Sequence, residues 1–138
     1  MSGPGTAAVV VDGANVVGSR PDGWWRDRPG AARRLAGQLV AALTEEGDRL
    51  AGALGVEGPL HVHLVLEGDG RVPDAPTHPR LTVVAATADG DAAIVDLVGR
   101  LGPGAVVVTA DRGLRERVTA LGARPVGPSA LLDVLGAP

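Results

Sequence analysis

The sequence predicts a three-layer α/β sandwich around a mainly parallel five-stranded sheet. Three observations predict it. The strand-like segments are continuous apolar runs rather than alternating ones, the pattern of strands buried on both faces. Segments with apolar residues at helical spacing separate most of these runs. The resulting order is strand, helix, strand, strand, helix, strand, helix, strand, helix, which suits an open parallel sheet with helices on both sides.

The first strand is Ala7 to Val11, stopped by the turn signal Asp12-Gly13. Residues 12 to 29 read as a loop with Gly, Pro and Arg around Trp24-Trp25, and Pro29 suits a first helical position. Ala32, Leu35, Ala36, Leu39, Val40 and Leu43 then define a helix, and Leu50, Ala51 and Leu54 extend its face until Gly55 ends it. Leu60 to Leu66 and Leu81 to Ala86 are the next strands, joined by a Pro-rich charged loop holding Asp69, Arg71, Asp74 and His78. Gly90 to Leu101 is a helix on Ile94, Leu97, Val98 and Leu101, with Asp96 on its solvated side. Ala105 to Val108 is the clearest strand, and Leu114, Val118 and Leu121 mark a helix closed by Gly122. Arg124 to Val126 is a short last strand, and Ser129 is expected to cap a final helix through Leu135.

Composition narrows the chemistry. The chain has 138 residues, the length of one ordinary domain, so residues 1–138 are expected to form a single one. With no Lys, all 13 basic residues are Arg, and no mechanism can use a catalytic lysine. Without Cys there is no thiolate zinc site and no cysteine nucleophile, leaving any metal to oxygen ligands or to His61, His63 and His78. A net charge of −3 argues against a broad coat for nucleic acid but permits a local Arg patch. Met1 to Thr6 lacks the features of a signal peptide, and no apolar run is long enough to span a bilayer, so a cytoplasmic protein with no membrane partner is expected. An exposed Ala-rich helix face would offer a homodimer surface.

Ligands of parallel sheets bind beyond the carboxyl ends of the strands. Two apolar strands run into acids there, Asp12 after Val9-Val10-Val11 and Asp111 after Val106-Val107-Val108-Thr109-Ala110. Asp89 and Asp91 stand at the start of the second helix, and Glu67 and Asp69 follow the second strand. Carboxylates gathered at one edge repel and raise each other's pKa values unless a cation lies between them. With oxygen ligands only, Mg²⁺ or Mn²⁺ suits such a set, and either ion can activate water and neutralise charge on a phosphodiester. Each acid also has a plainer reading. Asp89, Asp91 and Asp111 are good helix caps. Asp12 is the strongest candidate, because an acid ending a buried apolar strand needs a partner. Asn15 either holds Asp12 or the scissile phosphate, or is an ordinary turn or capping residue.

Trp24 and Trp25, bracketed by Arg20, Arg26 and Arg28, either stack a base and hold phosphates near the metal or cover the helix and sheet edge. His61 and His63 lie at the opposite end of the second strand from the acids, which argues against metal binding there. No Gly-x-Gly-x-x-Gly follows the first strand, so a dinucleotide enzyme is disfavoured. Receiver domains and aspartate-based phosphatases also place acids after parallel strands, but they require the lysine this chain lacks.

The segments Val9-Val10-Val11-Asp12-Gly13-Ala14-Asn15-Val16-Val17-Gly18, Asp89-Gly90-Asp91-Ala92-Ala93-Ile94-Val95 and Val107-Val108-Thr109-Ala110-Asp111-Arg112-Gly113-Leu114 together resemble the NYN domain family of PIN-like fold, and its YacP-like predicted ribonucleases. The resemblance spans nearly the whole chain, including Gly127-Pro128-Ser129 before the last helix. It implies sheet order 3-2-1-4-5 and a metal-dependent ribonuclease whose site is Asp12, Asp91 and Asp111, with Asn15 beside it and Mg²⁺ or Mn²⁺ as cofactor. RNA, single-stranded or structured, is the implied partner, with Arg20, Arg26, Arg28, Arg112, Trp24 and Trp25 as substrate-binding candidates. The family often has paired acids where this chain has Asp91-Ala92, so the fourth ligand is open among Asp89, Glu67 and Asp69. The alternative is a non-catalytic RNA-binding or protein-interaction module with the same fold.

Overall fold

A computed structural model describes residues 6–68, 72, 74–87 and 89–136. Its five strands are β1 (Ala7–Asp12), β2 (Leu60–Leu66), β3 (Leu81–Ala85), β4 (Val106–Val108) and β5 (Arg124–Val126). They pair in parallel throughout, in the order β3-β2-β1-β4-β5. The register sets Val9 to Val11 of β1 against Val106 to Val108 of β4, and Asp12 against Val65 of β2. The strands ending near Asp12 and Asp111 are therefore neighbours, as the motifs imply.

The helices are α1 (Gly13–Gly18), α2 (Arg28–Glu45), α3 (Gly47–Ala53), α4 (Gly90–Leu101), α5 (Arg112–Ala120) and α6 (Pro128–Leu135), with a 3-10 turn at Trp24–Arg26. Alternate strand residues feed two cores. Val9, Val11, Val62 and Leu64 pack with Leu35, Leu39, Leu50 and Leu131 of α2, α3 and α6. Val10, Val65 and Val107 pack with Ile94, Val98, Leu114 and Val118 of α4 and α5. Burial on both faces is why these strands read as unbroken apolar runs.

Four expectations are corrected. The segment after β1 is not wholly loop, because Asp12 caps α1 there. The long helix breaks at Glu46, whose backbone leaves the helical region (φ −135°, ψ 35°), so α2 and α3 are separate. Gly55 ends α3 as expected: its φ of 71° allows Val56 N–H to reach back to the Ala51 carbonyl at 2.9 Å. Ser129 does not cap α6; Gly127 holds the cap position, ahead of Pro128 in the first turn. The Ala-rich face points inward, with Ala31, Ala32, Ala36 and Ala42 of α2 buried, so α2 does not offer the exposed alanine surface expected for a dimer. Among the described residues no helix is long and apolar enough to cross a membrane.

Candidate active site at the carboxyl edge of the sheet

Asp12 closes the central strand and is only 7% exposed. One carboxylate oxygen, Oδ1, accepts from the Asn15 amide N–H at 3.4 Å, and Oδ2 accepts from Thr109 Oγ1 at 2.9 Å. Thr109 is fully buried just beyond β4, and its Oγ1 also accepts from the Asp111 amide N–H at 3.1 Å. On the other side, Asn15 Oδ1 accepts from the Ala110 amide N–H at 2.8 Å. Thr109 and Asn15 thus fasten the end of β1 to the turn that carries Asp111. Desolvation raises the Asp12 pKa, Thr109 and the Asn15 amide oppose the rise, and repulsion from Asp91 and Glu67 adds to it.

Glu67 follows β2 and turns toward the start of α4, where its Oε2 accepts from the Gly90 amide N–H. A Cβ on residue 90 would collide with this carboxylate, so glycine is what lets the helix start sit on Glu67. Asp89 caps α4, its Oδ1 accepting from the Asp91 amide N–H at 2.9 Å. Asp91 lies in the first turn, partly buried; desolvation raises its pKa, followed by repulsion from Asp111, Asp89 and Glu67, while Arg117 lowers it. Asp111 caps α5 through the Leu114 amide N–H at 2.9 Å and is exposed.

Asp12, Glu67, Asp91 and Asp111 thus come from four segments to one edge of the sheet, near enough that Asp12 feels Asp91 and Glu67, and Asp91 feels Asp111 and Glu67. The capping readings of Asp89 and Asp111 hold, without removing either acid from this edge. Of the three candidates for a fourth acid, Glu67 raises the pKa of both Asp12 and Asp91, Asp89 raises that of Asp91, and Asp69 lies outside the described residues. All-oxygen donors at an edge of mutually repelling carboxylates match the chemistry of a hard divalent cation. Among the described residues, however, no three His, Asp or Glu side chains are grouped closely enough to hold an ion together as they stand.

Beside the acids, Trp24 and Trp25 meet edge to face at 5.9 Å and 88°. The two rings differ in burial. Trp24 packs partly against the core, whereas Trp25 is 58% exposed. The Arg28 guanidinium lies over the Trp24 ring at 5.3 Å, and that of Arg26 over Trp25 at 5.8 Å. Between α1, α2 and the end of β2 is a cleft of about 410 Å³, lined in part by Trp24, Arg28, Leu66 and Glu67. Arg112 is exposed in the first turn of α5.

Arg20 is a correction. It is buried, and its Nη2 donates to Gln38 Oε1 at 2.6 Å, so it braces α1 against α2 rather than meeting a phosphate; burial lowers its pKa. Sequence reasoning placed Thr109 in a motif without giving it a role of its own, and passed over Arg117. A buried hydroxyl two residues before an acid that ends a strand was the available signal for Thr109, whereas nothing local marked Arg117 as the cation facing Asp91.

No protein-family model and no curated protein sequence matches the chain. Solved structures do. The chain shares its fold with Rae1 (YacP) from Bacillus subtilis. The crystal structure of Rae1 matches with a TM-score of 0.65 at 19% identity, over 93% of this chain and 72% of that one. A mutant of Rae1 gives 0.59 at 18%, over 94% and 74%. The likeness to Rae1 is one of fold, and it accords with the YacP-like resemblance carried by the three sequence motifs.

Proposed function

We propose that the protein is a metal-dependent ribonuclease that hydrolyses phosphodiester bonds at the carboxyl edge of its sheet. The observation that carries this reading is the gathering of Asp12, Glu67, Asp91 and Asp111, from separate segments, at the position where parallel sheets place ligands. The NYN-like motifs and the fold shared with Rae1 point the same way. Asp12, Asp91 and Asp111 would hold Mg²⁺ or Mn²⁺, with Glu67 as the preferred fourth acid. Such a cation, once bound, would neutralise phosphodiester charge and increase the acidity of water.

The chain's own residues prepare that site. Thr109 fixes Asp12 from within the core, and Asn15 fixes the turn that presents Asp111. Glu67 anchors the start of α4 and with it Asp91. Arg26 and Arg28 on one side and Arg112 and Arg117 on α5 supply the positive charge that a polyanion needs on approaching an acidic edge.

One observation favours the other reading, a binding module without catalysis. Asp12, Glu67, Asp89 and Asp111 each accept a backbone N–H, as purely structural caps would. End-labelled single-stranded and structured RNAs incubated with Mn²⁺, Mg²⁺ or chelator, beside Asp111→Asn, separate the two. Cutting that needs metal and is lost in the variant supports the nuclease; binding without cutting under any metal supports the module.

A further inference from the structure

We propose that the cleft beside Asp12 is a pocket for one unpaired nucleobase, so that the strand is held by a nucleotide lifted out of its stack next to the acids. This deepens the RNA-hydrolase reading and rests on it. At about 410 Å³ the cleft is of small-ligand size, where pockets run to about 300–1,000 Å³. Its apolar lining comes from Ala14, Val17, Ala32 and Leu66, and the indole of Trp24 lines it too. A nucleobase is flat and apolar on its faces and polar at its edges, and this lining presents the same division. Glu67 supplies an acceptor for a base edge, and its carboxylate is already oriented by the Gly90 amide.

The wall is built before any ligand arrives. Trp24 packs partly against the core, its backbone N–H donates to Asp22 Oδ1 at 3.1 Å, and the Arg28 guanidinium lies 5.3 Å from its ring centroid. A preformed stacking surface loses little freedom on binding. Arg28 also lines the cleft, so a cation stands where the sugar-phosphate of a seated nucleotide must pass. The cleft adjoins the acids through two shared elements. Gly13 and Ala14 directly follow Asp12, and Glu67 lines the cleft while acting electrostatically on both Asp12 and Asp91. A paired, stacked base exposes no face for this wall, so duplex RNA enters only after that base is extruded. Trp25, exposed beyond the cleft, is not part of the pocket.

The test measures binding without cutting. Fluorescence anisotropy in chelator follows a labelled single-stranded oligoribonucleotide and a set of copies each carrying one abasic residue. The wild type is compared with Trp24→Leu and with Ala14→Leu, which fills the cleft from an exposed position; circular dichroism and thermal melting establish that each is folded. One abasic position should weaken wild-type binding roughly 5- to 150-fold, the range for losing one base stacked on an aromatic side chain. Both variants should bind the intact strand about as weakly, and removing that base should then cost them nothing more. An affinity indifferent to every abasic position overturns the pocket, as does an abasic penalty that survives in both folded variants. Metal-dependent cutting measured in parallel separates the two claims. Cutting without base dependence removes the pocket and leaves the nuclease, whereas base-dependent binding without cutting removes the nuclease and leaves the pocket.

Discussion

Replacing Asp12 by asparagine should abolish activity while leaving stability intact or raising it. The wild-type carboxylate is held by the Thr109 hydroxyl at 2.9 Å and, more loosely, by the Asn15 amide at 3.4 Å. A neutral acceptor weakens the first bond by about 1 kcal/mol. The cap is hardly changed, because Asn and Asp cap helices about equally well. Against that loss stands the removal of a charge that burial, Asp91 and Glu67 all disfavour. The raised pKa means that the folded state prefers the protonated carboxyl, so at neutral pH the charged form works against folding and the substitution relieves it. The net change should lie within about 1 kcal/mol of zero, a shift in Tm of no more than roughly 3–5 °C for a chain of this size. Activity should fall by about 10²–10³-fold or more, the scale of losing one preorganised electrostatic group. Because the wild-type penalty disappears when Asp12 is protonated, any advantage of the variant should shrink as pH falls through the raised folded pKa toward the ordinary aspartate value of 3.8. Thermal melts from pH 7 to 3.5 and a cleavage time course test both halves. Near-wild-type cleavage by a folded variant, or destabilisation beyond about 3 kcal/mol, would refute the reasoning.

Other perturbations follow from the same geometry. Thr109→Val removes the donor to Asp12 and leaves the Asp111 amide without its acceptor, so chemical denaturation should show a loss of about 1–3 kcal/mol with reduced cleavage. Gly90→Ala forces a Cβ onto the Glu67 carboxylate; it should destabilise and lower activity, and adding Glu67→Ala should recover the stability alone. Arg20→Ala should lower Tm and leave the salt slope of RNA binding unchanged, whereas Arg26→Ala and Arg28→Ala should each reduce that slope by about 0.7 with little effect on Tm. Among the described residues the buried Nε2 of His63 has no hydrogen-bond partner, and burial, with the neighbouring His61, pushes the pKa of this imidazole down to about 4. Its depressed folded pKa means that stability is full above the ordinary histidine value of 6.5 and is lost as pH falls from there toward 4, by about 1–3 kcal/mol; His63→Leu should flatten that slope in pH-dependent melts.

Much of the fold was legible because its causes are local. Val9 to Val11 and Val106 to Val108 are buried on both faces, and apolar runs record that directly in sequence. The break at Glu46 was not legible, since the apolar face runs on through Leu50 and Leu54 while the backbone turns between. At the candidate site, the placement of Asp12 and Asp111 at the carboxyl edge was legible because acids ending buried strands are conspicuous. The contact of Glu67 with the start of α4 was not legible, because it joins residues 23 positions apart. Arg20 was misread because bracketing tryptophans with arginines looks the same in sequence whether a guanidinium faces solvent or Gln38. Only the packing of α1 on α2 separates those cases.

The most direct test of the acid edge is to titrate Mn²⁺ into the ¹⁵N-labelled protein and follow which amide resonances broaden. A shared cation site predicts broadening centred on Gly13 to Asn15, Asp91 to Ala93 and Ala110 to Arg112, and its loss in Asp12→Asn. Broadening confined to the outlying acids Glu45, Glu46 and Asp48, or unchanged in the variant, would contradict it.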